Sequence, residues 1–285
     1  MQQNEEMRME PKLIDINDYV LFGGGFLGDS YNHKSDPEVM LKLYSTERTK
    51  MAWDEYDCAR KVYALGIPTP EPGQLVKVQD GRTGIIFRRI PGKKSFAKAI
   101  GENPSLAEEF AEKFALMCKE LHATKVNKED FPNKKDYCYE VIKDSPYLTS
   151  AQKDRVFRFI ADVPEADTAL HGDLHFGNVI CRGSENWFID LGGFSYGYYL
   201  FDLGMTMITM RYSTEEGMRK LYHMEQSTAV RFWEAFVKYY FGTGCSLEDI
   251  EEEIKPYGAL RTLLIQKDLG HILPVRQPLV DSLIK

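Results

Sequence analysis

His171-Gly172-Asp173-Leu174-His175-Phe176-Gly177-Asn178 is followed, twelve residues on, by Asp190 in Phe188-Ile189-Asp190-Leu191-Gly192. Phosphoryl transfer asks little of a protein. One carboxylate accepts the proton of an acceptor hydroxyl, while an amide oxygen and a second carboxylate hold Mg²⁺ on nucleotide phosphates. A His-x-Asp-x-x-x-x-Asn loop, then an aspartate at the end of the following strand, supplies those groups in that order. Asp173 is the expected base. Asn178 and Asp190 are the expected metal ligands, since a hard cation takes oxygen donors. Taken singly, each could be a turn residue bonding its own backbone; the joint spacing points to one site.

At this stretch the chain resembles the aminoglycoside phosphotransferase and choline kinase superfamily, whose members phosphorylate small molecules on a protein-kinase-like fold. The family loop reads His-Gly-Asp-x-His-x-x-Asn, and every fixed position is matched. Phe176 stands where Pro is usual and Leu191 where Trp is frequent. Neither carries the chemistry, so these departures concern loop packing and acceptor fit. The resemblance covers residues 19 to 205 and is closer to a bacterial branch than to dedicated choline kinases or known resistance enzymes. It implies an α+β, two-lobed fold: a β-rich nucleotide-binding lobe with one main helix over residues 1–91, and a mostly helical catalytic and acceptor-binding lobe over 92–285. Mg²⁺ would be the metal, ATP or GTP the phosphoryl donor. Asp202 matches a family aspartate that braces the catalytic loop, though it could equally cap a surface helix.

Such a fold makes demands elsewhere in the chain. Backbone must approach the phosphates closely, and Gly23, Gly25 and Gly28 fit a Gly-x-Gly-x-x-Gly turn between two candidate strands. An ordinary hairpin turn would look the same. A lysine must sit on the third strand, and Lys42 interrupts the apolar run Val39–Leu43; alone it reads as an edge lysine facing solvent. Its helical partner is Glu55, which shares a face with Cys58, Ala59 and Val62. The strand Gly84–Arg89 is broken by Pro91-Gly92, which suits a hinge whose backbone, at Phe87, Arg88, Arg89 and Ile90, faces the adenine.

His171 reads as structural, with its ring bonded to backbone behind the loop. His175 could ligate a metal, because His-x-Asp-x-His also occurs in metallohydrolases. The other histidines, His33, His122, His223 and His271, form no ligand-spaced pair with these.

Composition is that of an ordinary globular chain: 285 residues, 43% hydrophobic and 28% charged. No apolar run has the length of a membrane span, and the N-terminus lacks a signal peptide's basic start and apolar core. Five dispersed cysteines argue for reduced thiols, hence a cytoplasmic protein, rather than a disulfide frame or a zinc site. The net charge of −7 speaks against nucleic acid as a partner. Periodicity places strands near 18–23, 30–34, 39–44, 74–78 and 84–89, a helix over 51–65, and a buried amphipathic helix carrying Leu106, Phe110, Phe114, Met117 and Leu121. Helices are also expected over 134–143, 150–160, 198–210, 226–241 and 247–267.

The acceptor is less legible. Tyr196, Tyr198, Tyr199, Trp233, Tyr239 and Tyr240 could form a cage for a quaternary amine, or simply be core. Glu215, Glu216, Glu234 and the acids from Glu248 to Glu253 could face an aminoglycoside, or be a solvated helix face. The expected activity is transfer of a γ-phosphoryl group to a hydroxyl of an aminoglycoside, choline, ethanolamine, another amino alcohol or a sugar. The alternative is an idle nucleotide-binding regulatory module. The presence of Lys42, Asp173, Asn178 and Asp190 together favours catalysis.

Overall fold

The computed structural model describes residues 10–24 and 28–285; Gly25 of the glycine turn lies outside them. The described chain divides into two compact units: residues up to Lys93 with Trp187–Gly192, and Lys94–Asn186 with Gly193–Lys285.

The first unit is built on a mixed sheet. Its strands are β1 (Lys12–Leu13), β2 (Tyr19–Gly24), β3 (Asp29–His33), β4 (Val39–Leu43), β5 (Pro72–Lys77) and β6 (Thr83–Arg88), with helix α1 (Thr49–Ala64) between β4 and β5. The spatial order is β1-β5-β6-β4-β3-β2, antiparallel except for the β1/β5 pair. The period of two in β4 and its neighbours sorts side chains onto two faces. Tyr44, Ile85 and Phe87 pack with Met40 against Ala52 and Ala59 of α1. Leu41 and Leu43 point the other way, onto Val76 and Val78. That alternation puts Lys42 on the α1 side.

The second unit is mainly helical. In it β7 (Lys94–Ser95) pairs antiparallel with β9 (Val179–Arg182), and a two-strand ribbon joins β8 (Ala169–Leu170) to β11 (Ser195–Tyr196); β10 (Glu185–Phe188) follows β9, and its last two residues belong to the first unit. The helices are α2 (Phe96–Glu102), α3 (Ala107–Ala123), α4 (Lys134–Asp144), α5 (Ser150–Asp162), α6 (Leu200–Arg211), α7 (Glu215–Tyr222), α8 (Gln226–Phe241), α9 (Leu247–Leu269) and α10 (Gln277–Ile284). The start of α5 is set by Thr149, whose side chain accepts from the Gln152 amide while Gln152 reaches back, a reciprocal capping box. Every residue of α6 from Leu200 to Met210 is buried, so this helix is the centre of the unit rather than an amphipathic surface element.

Helices α6 and α9 approach so closely that a Cβ on Gly204 would lie 2.6 Å from the Tyr257 backbone carbon and 2.8 Å from the Gly258 nitrogen. Backbone cannot yield as a side chain can, so overpacking here pushes the two packed helices apart. Gly204→Ala should therefore cost about 1–3 kcal/mol of stability, read from urea denaturation; an unchanged midpoint would show that the two helices can separate freely.

Candidate active site

The first unit gathers one cation and three partners. Lys42 Nζ donates to Glu55 Oε1 at 2.7 Å and Oε2 at 3.0 Å, and to Asp190 Oδ1 at 3.3 Å. The Tyr44 hydroxyl donates to Glu55 Oε2. The Lys42 side chain is only 13% exposed, and its burial would favour the neutral amine. The Glu55 and Asp190 carboxylates outweigh that and raise its pKa, so the ammonium stays charged. The edge-lysine alternative fails here, because Lys42 points inward to a paired helix carboxylate. Tyr44 is pushed well above the usual phenol range by burial and by Glu55, so it remains a proton donor. Asp190 holds a left-handed backbone, φ 59°, a conformation aspartate tolerates better than most residues. Its carboxylate is 56% exposed, so oxygen remains open to a ligand beside the Lys42 contact.

The remaining nucleotide-site expectations are also in this unit. β2 and β3 pair antiparallel, with Tyr19 opposite His33 and Gly24 opposite Asp29. A Cβ on Gly28 would sit 2.6 Å from the Leu43 carbonyl oxygen, so this position needs glycine for a close approach of two backbones. Gly23 has open space around it. Phe87 and Ile90 are buried. The backbone N–H of Arg88 donates to Glu71 O at 2.8 Å and that of Arg89 to Glu38 O at 2.6 Å. The Arg89 guanidinium donates to Pro37 O.

The second unit holds the loop itself. Asp202, 1% exposed in α6, accepts from His171 N at 2.7 Å and Gly172 N at 2.8 Å. His122 Nε2 lies 3.3 Å from the same carboxylate, and its Nδ1 is 2.8 Å from the Tyr240 hydroxyl. Asp202 is thus a buried brace for the loop and not a surface cap. Thr206, one turn on, donates to Leu174 O. Gly172 has φ +83°, and a Cβ there would collide with the Gly193 carbonyl, so no other residue fits this turn. Buried His171 accepts from Asp173 N with its Nδ1, at 3.3 Å.

Asp173 projects from this turn. Its Oδ1 accepts from Arg261 Nη2 at 2.9 Å and its Oδ2 from Asn178 Nδ2 at 3.1 Å. Asn178 Nδ2 also donates to the Asp173 carbonyl at 2.9 Å. With its nitrogen committed to the loop, Asn178 has only its amide oxygen to offer a cation. His175 Nδ1 accepts from Gly177 N, so the proton sits on Nε2, 3.7 Å from Asp173 Oδ2. Burial raises the Asp173 pKa, but His175, Arg261 and His171 more than cancel this and hold the carboxyl well below its usual range. It is therefore a carboxylate at neutral pH, able to accept a hydroxyl proton only as that proton becomes acidic in a transition state. Tyr222, ring to ring with His175 at 5.5 Å, is pushed up to about 12 by burial and by Asp173.

Several contacts were not foreseen from the sequence: Tyr44, His122, Tyr222 and Arg261. Tyr44 follows Lys42 by two and shares its face, and Arg261 is the one charge in Ala259-Leu260-Arg261-Thr262-Leu263-Leu264; both carried a readable signal. Trp233 and Tyr196 are core. Glu248, Asp249, Glu252 and Glu253 form an exposed face of α9. Glu251 pairs with Arg211 at 3.0 Å and accepts from Trp233 Nε1. Among the described residues, no group of three or more His, Cys, Asp or Glu side chains is placed to hold a metal, and no helix is long and apolar enough to cross a membrane.

Residues 18–239 match the model of the phosphotransferase enzyme family. A methylthioribose kinase of Bacillus cereus (strain G9842) is 32% identical over 95 residues, covering 32% of this chain and 24% of that enzyme. Among solved structures, the amicoumacin kinase hAmiN, in complex with AMP-PNP, Ca²⁺ and Ami, superposes with a TM-score of 0.62. It is 16% identical, over 95% of this chain and 90% of that one. A choline/ethanolamine kinase family protein from Mesorhizobium loti gives 0.53 at 16% identity, over 93% and 85%. At such identity the structural likeness establishes the protein-kinase-like fold.

Because the Asp202 carboxyl is held below its usual range, against its burial, by His122, His171 and the Gly172 amide, its contribution to stability is present above the unfolded pKa of about 3.9. It is lost as pH falls through the lower folded value. Asp202→Ala should cost about 3–5 kcal/mol at pH 7, and Asp202→Asn should show a shallower loss of stability below about pH 4 than the parent. Identical acid limbs in urea titrations of parent and Asn variant would exclude this linkage.

Proposed function

The chain belongs to the phosphotransferase enzyme family, and from that premise we propose that it transfers the γ-phosphoryl group of ATP or GTP to a hydroxyl of a small molecule. The observation that carries this reading is the Asp173 environment: an ionised carboxylate on a rigid, braced turn, hydrogen-bonded through Asn178. Asp173 orients the acceptor hydroxyl and takes its proton as the new O–P bond forms. Gly172, His171 and Asp202 fix where that carboxylate points, and positioning of this kind supplies much of the rate in phosphoryl transfer.

On the nucleotide side, Gly23 and Gly28 let backbone approach the phosphates, Gly25, outside the described residues, is assigned to the same motif, and Lys42, held charged by Glu55, contacts them. Phe87, Arg88, Arg89 and Ile90 form the strand end assigned to the adenine. Asn178 and Asp190 are the proposed Mg²⁺ ligands; both present oxygens suited to a hard cation. When bound, the ion would neutralise charge on the phosphates. The solved hAmiN complex carries a nucleotide analogue and a divalent cation, which supports the donor assignment. A cytoplasmic location accords with five free cysteines. The idle-module alternative loses ground because its usual deletions, of base, lysine or metal ligand, are not found in this chain.

Asp173→Asn should lower the transfer rate by about 10²–10⁴-fold while Mg-nucleotide affinity, measured by equilibrium binding, stays near the parent value. A variant that binds nucleotide poorly but turns over normally when saturated would contradict the base assignment. Lys42→Met should instead raise KM for the nucleotide as well as lower kcat, because its ammonium is assigned to ground-state phosphate contacts.

A further inference from the structure

Around Asp173 the second unit buries more positive than negative charge. Arg261, 18% exposed, spends one donor on Asp173 Oδ1. Lys134, at the start of α4, is 5% exposed. Its ammonium lies 5.1 Å over the Tyr137 ring, and among the described residues no carboxylate pairs with it. Arg276, 9% exposed, gives its donors to the backbone carbonyls of Tyr212 at 2.9 Å and Ile208 at 3.4 Å, again without a carboxylate.

These cations sense one another. Burial depresses the Lys134 pKa, and Arg261 depresses it further, while Cys138, Asp202 and Asp173 act in the opposite direction. Arg276 is lowered to about 10 by burial and by Arg261, against Tyr222. The Asp202 carboxylate already accepts from two amides and faces His122. A buried ammonium or guanidinium without a counter-charge is destabilising, and a bound anion relieves that.

We propose that the acceptor is a small hydroxyl compound bearing a carboxylate or phosphate, and that Arg261 and Lys134 form the subsite for that anionic group. The inference rests on the phosphotransferase reading above and names its substrate class. As the anion engages Arg261, the guanidinium is drawn from Asp173 Oδ1 and the hydroxyl takes its place. The acceptor oxygen then bonds to the γ-phosphorus as the bond from that phosphorus to the bridging oxygen breaks. The hydroxyl proton passes to Asp173, and the products are a phosphomonoester and a nucleoside diphosphate. A polycationic or quaternary-ammonium acceptor would bring like charge against Arg261 and Lys134.

The test uses the full chain with Mg-ATP and Mg-GTP on matched acceptors: glycerol, glycerate and glycerol 3-phosphate; ribose, ribonate and ribose 5-phosphate; with choline and an aminoglycoside as cations. An anionic member should exceed its neutral partner in kcat/KM by at least about tenfold, and the carboxylate and phosphate arms separate the two sources of charge. Lys134→Met, which removes charge at similar volume, should raise KM for that acceptor about tenfold with a smaller change in kcat; Lys134→Arg should restore it. Preference for a neutral or cationic member overturns the inference and leaves the kinase reading intact. So does failure of every anionic member to bind or react while Mg-nucleotide binds normally. Failure to bind Mg-nucleotide at all overturns the kinase reading itself.

Discussion

The buried carboxylate of Asp202 is the constraint on which the candidate site depends. Two consecutive amides, at His171 and Gly172, converge on it, and that requires the turn to pass through a left-handed residue that only glycine can occupy beside Gly193. With the turn so fixed, Asp173 leaves it in one direction, and Asn178 closes the loop from five residues on by donating to both the Asp173 carbonyl and its carboxylate. The charge of Asp202 is tolerable in the core because His122 and the amides share it, and α6, buried on all sides, transmits the position of Asp202 to the packing of the whole unit.

In the first unit the same logic runs through a cation. Lys42 is drawn inward by Glu55, which in turn is held by Tyr44. A charged lysine on the inner face of a sheet is stable only with such partners, so the ion pair explains why β4 and α1 carry charges in otherwise apolar faces. The exposed carboxylate of Asp190, also on Lys42, extends this arrangement toward solvent.

Much of this was legible in the sequence, for reasons that differ by residue. The strand and helix assignments followed from period-two and period-3.6 patterns strong enough to survive tertiary packing, as in β4, α3 and α8. Asp173, Asn178 and Asp190 stand out in the sequence because phosphoryl transfer demands a fixed order of oxygen donors and the chain carries that order. Glu55 could be read from a carboxylate on an apolar helix stripe. Arg261 could not be assigned a partner, because it meets Asp173 across 88 residues of chain and no local pattern encodes that meeting. His122 and Tyr240 were hidden for the same reason. The cage of aromatic residues considered for a quaternary amine dissolves in part, since Trp233 and Tyr196 are packed in the core. The acids of α9 face solvent, so the overall negative charge of the chain says little about the acceptor. The local field at Asp173 says more.

The central claim is that Asp173 drives direct phosphoryl transfer from a nucleotide to a hydroxyl. The most direct measurement follows the phosphorus by ³¹P NMR while the protein, Mg²⁺ and nucleotide act on a phosphorylatable acceptor. The account predicts a growing phosphomonoester resonance matched by loss of the γ-signal, and its absence on the same timescale with Asp173→Asn. A phosphomonoester formed equally fast by the Asn variant would contradict it.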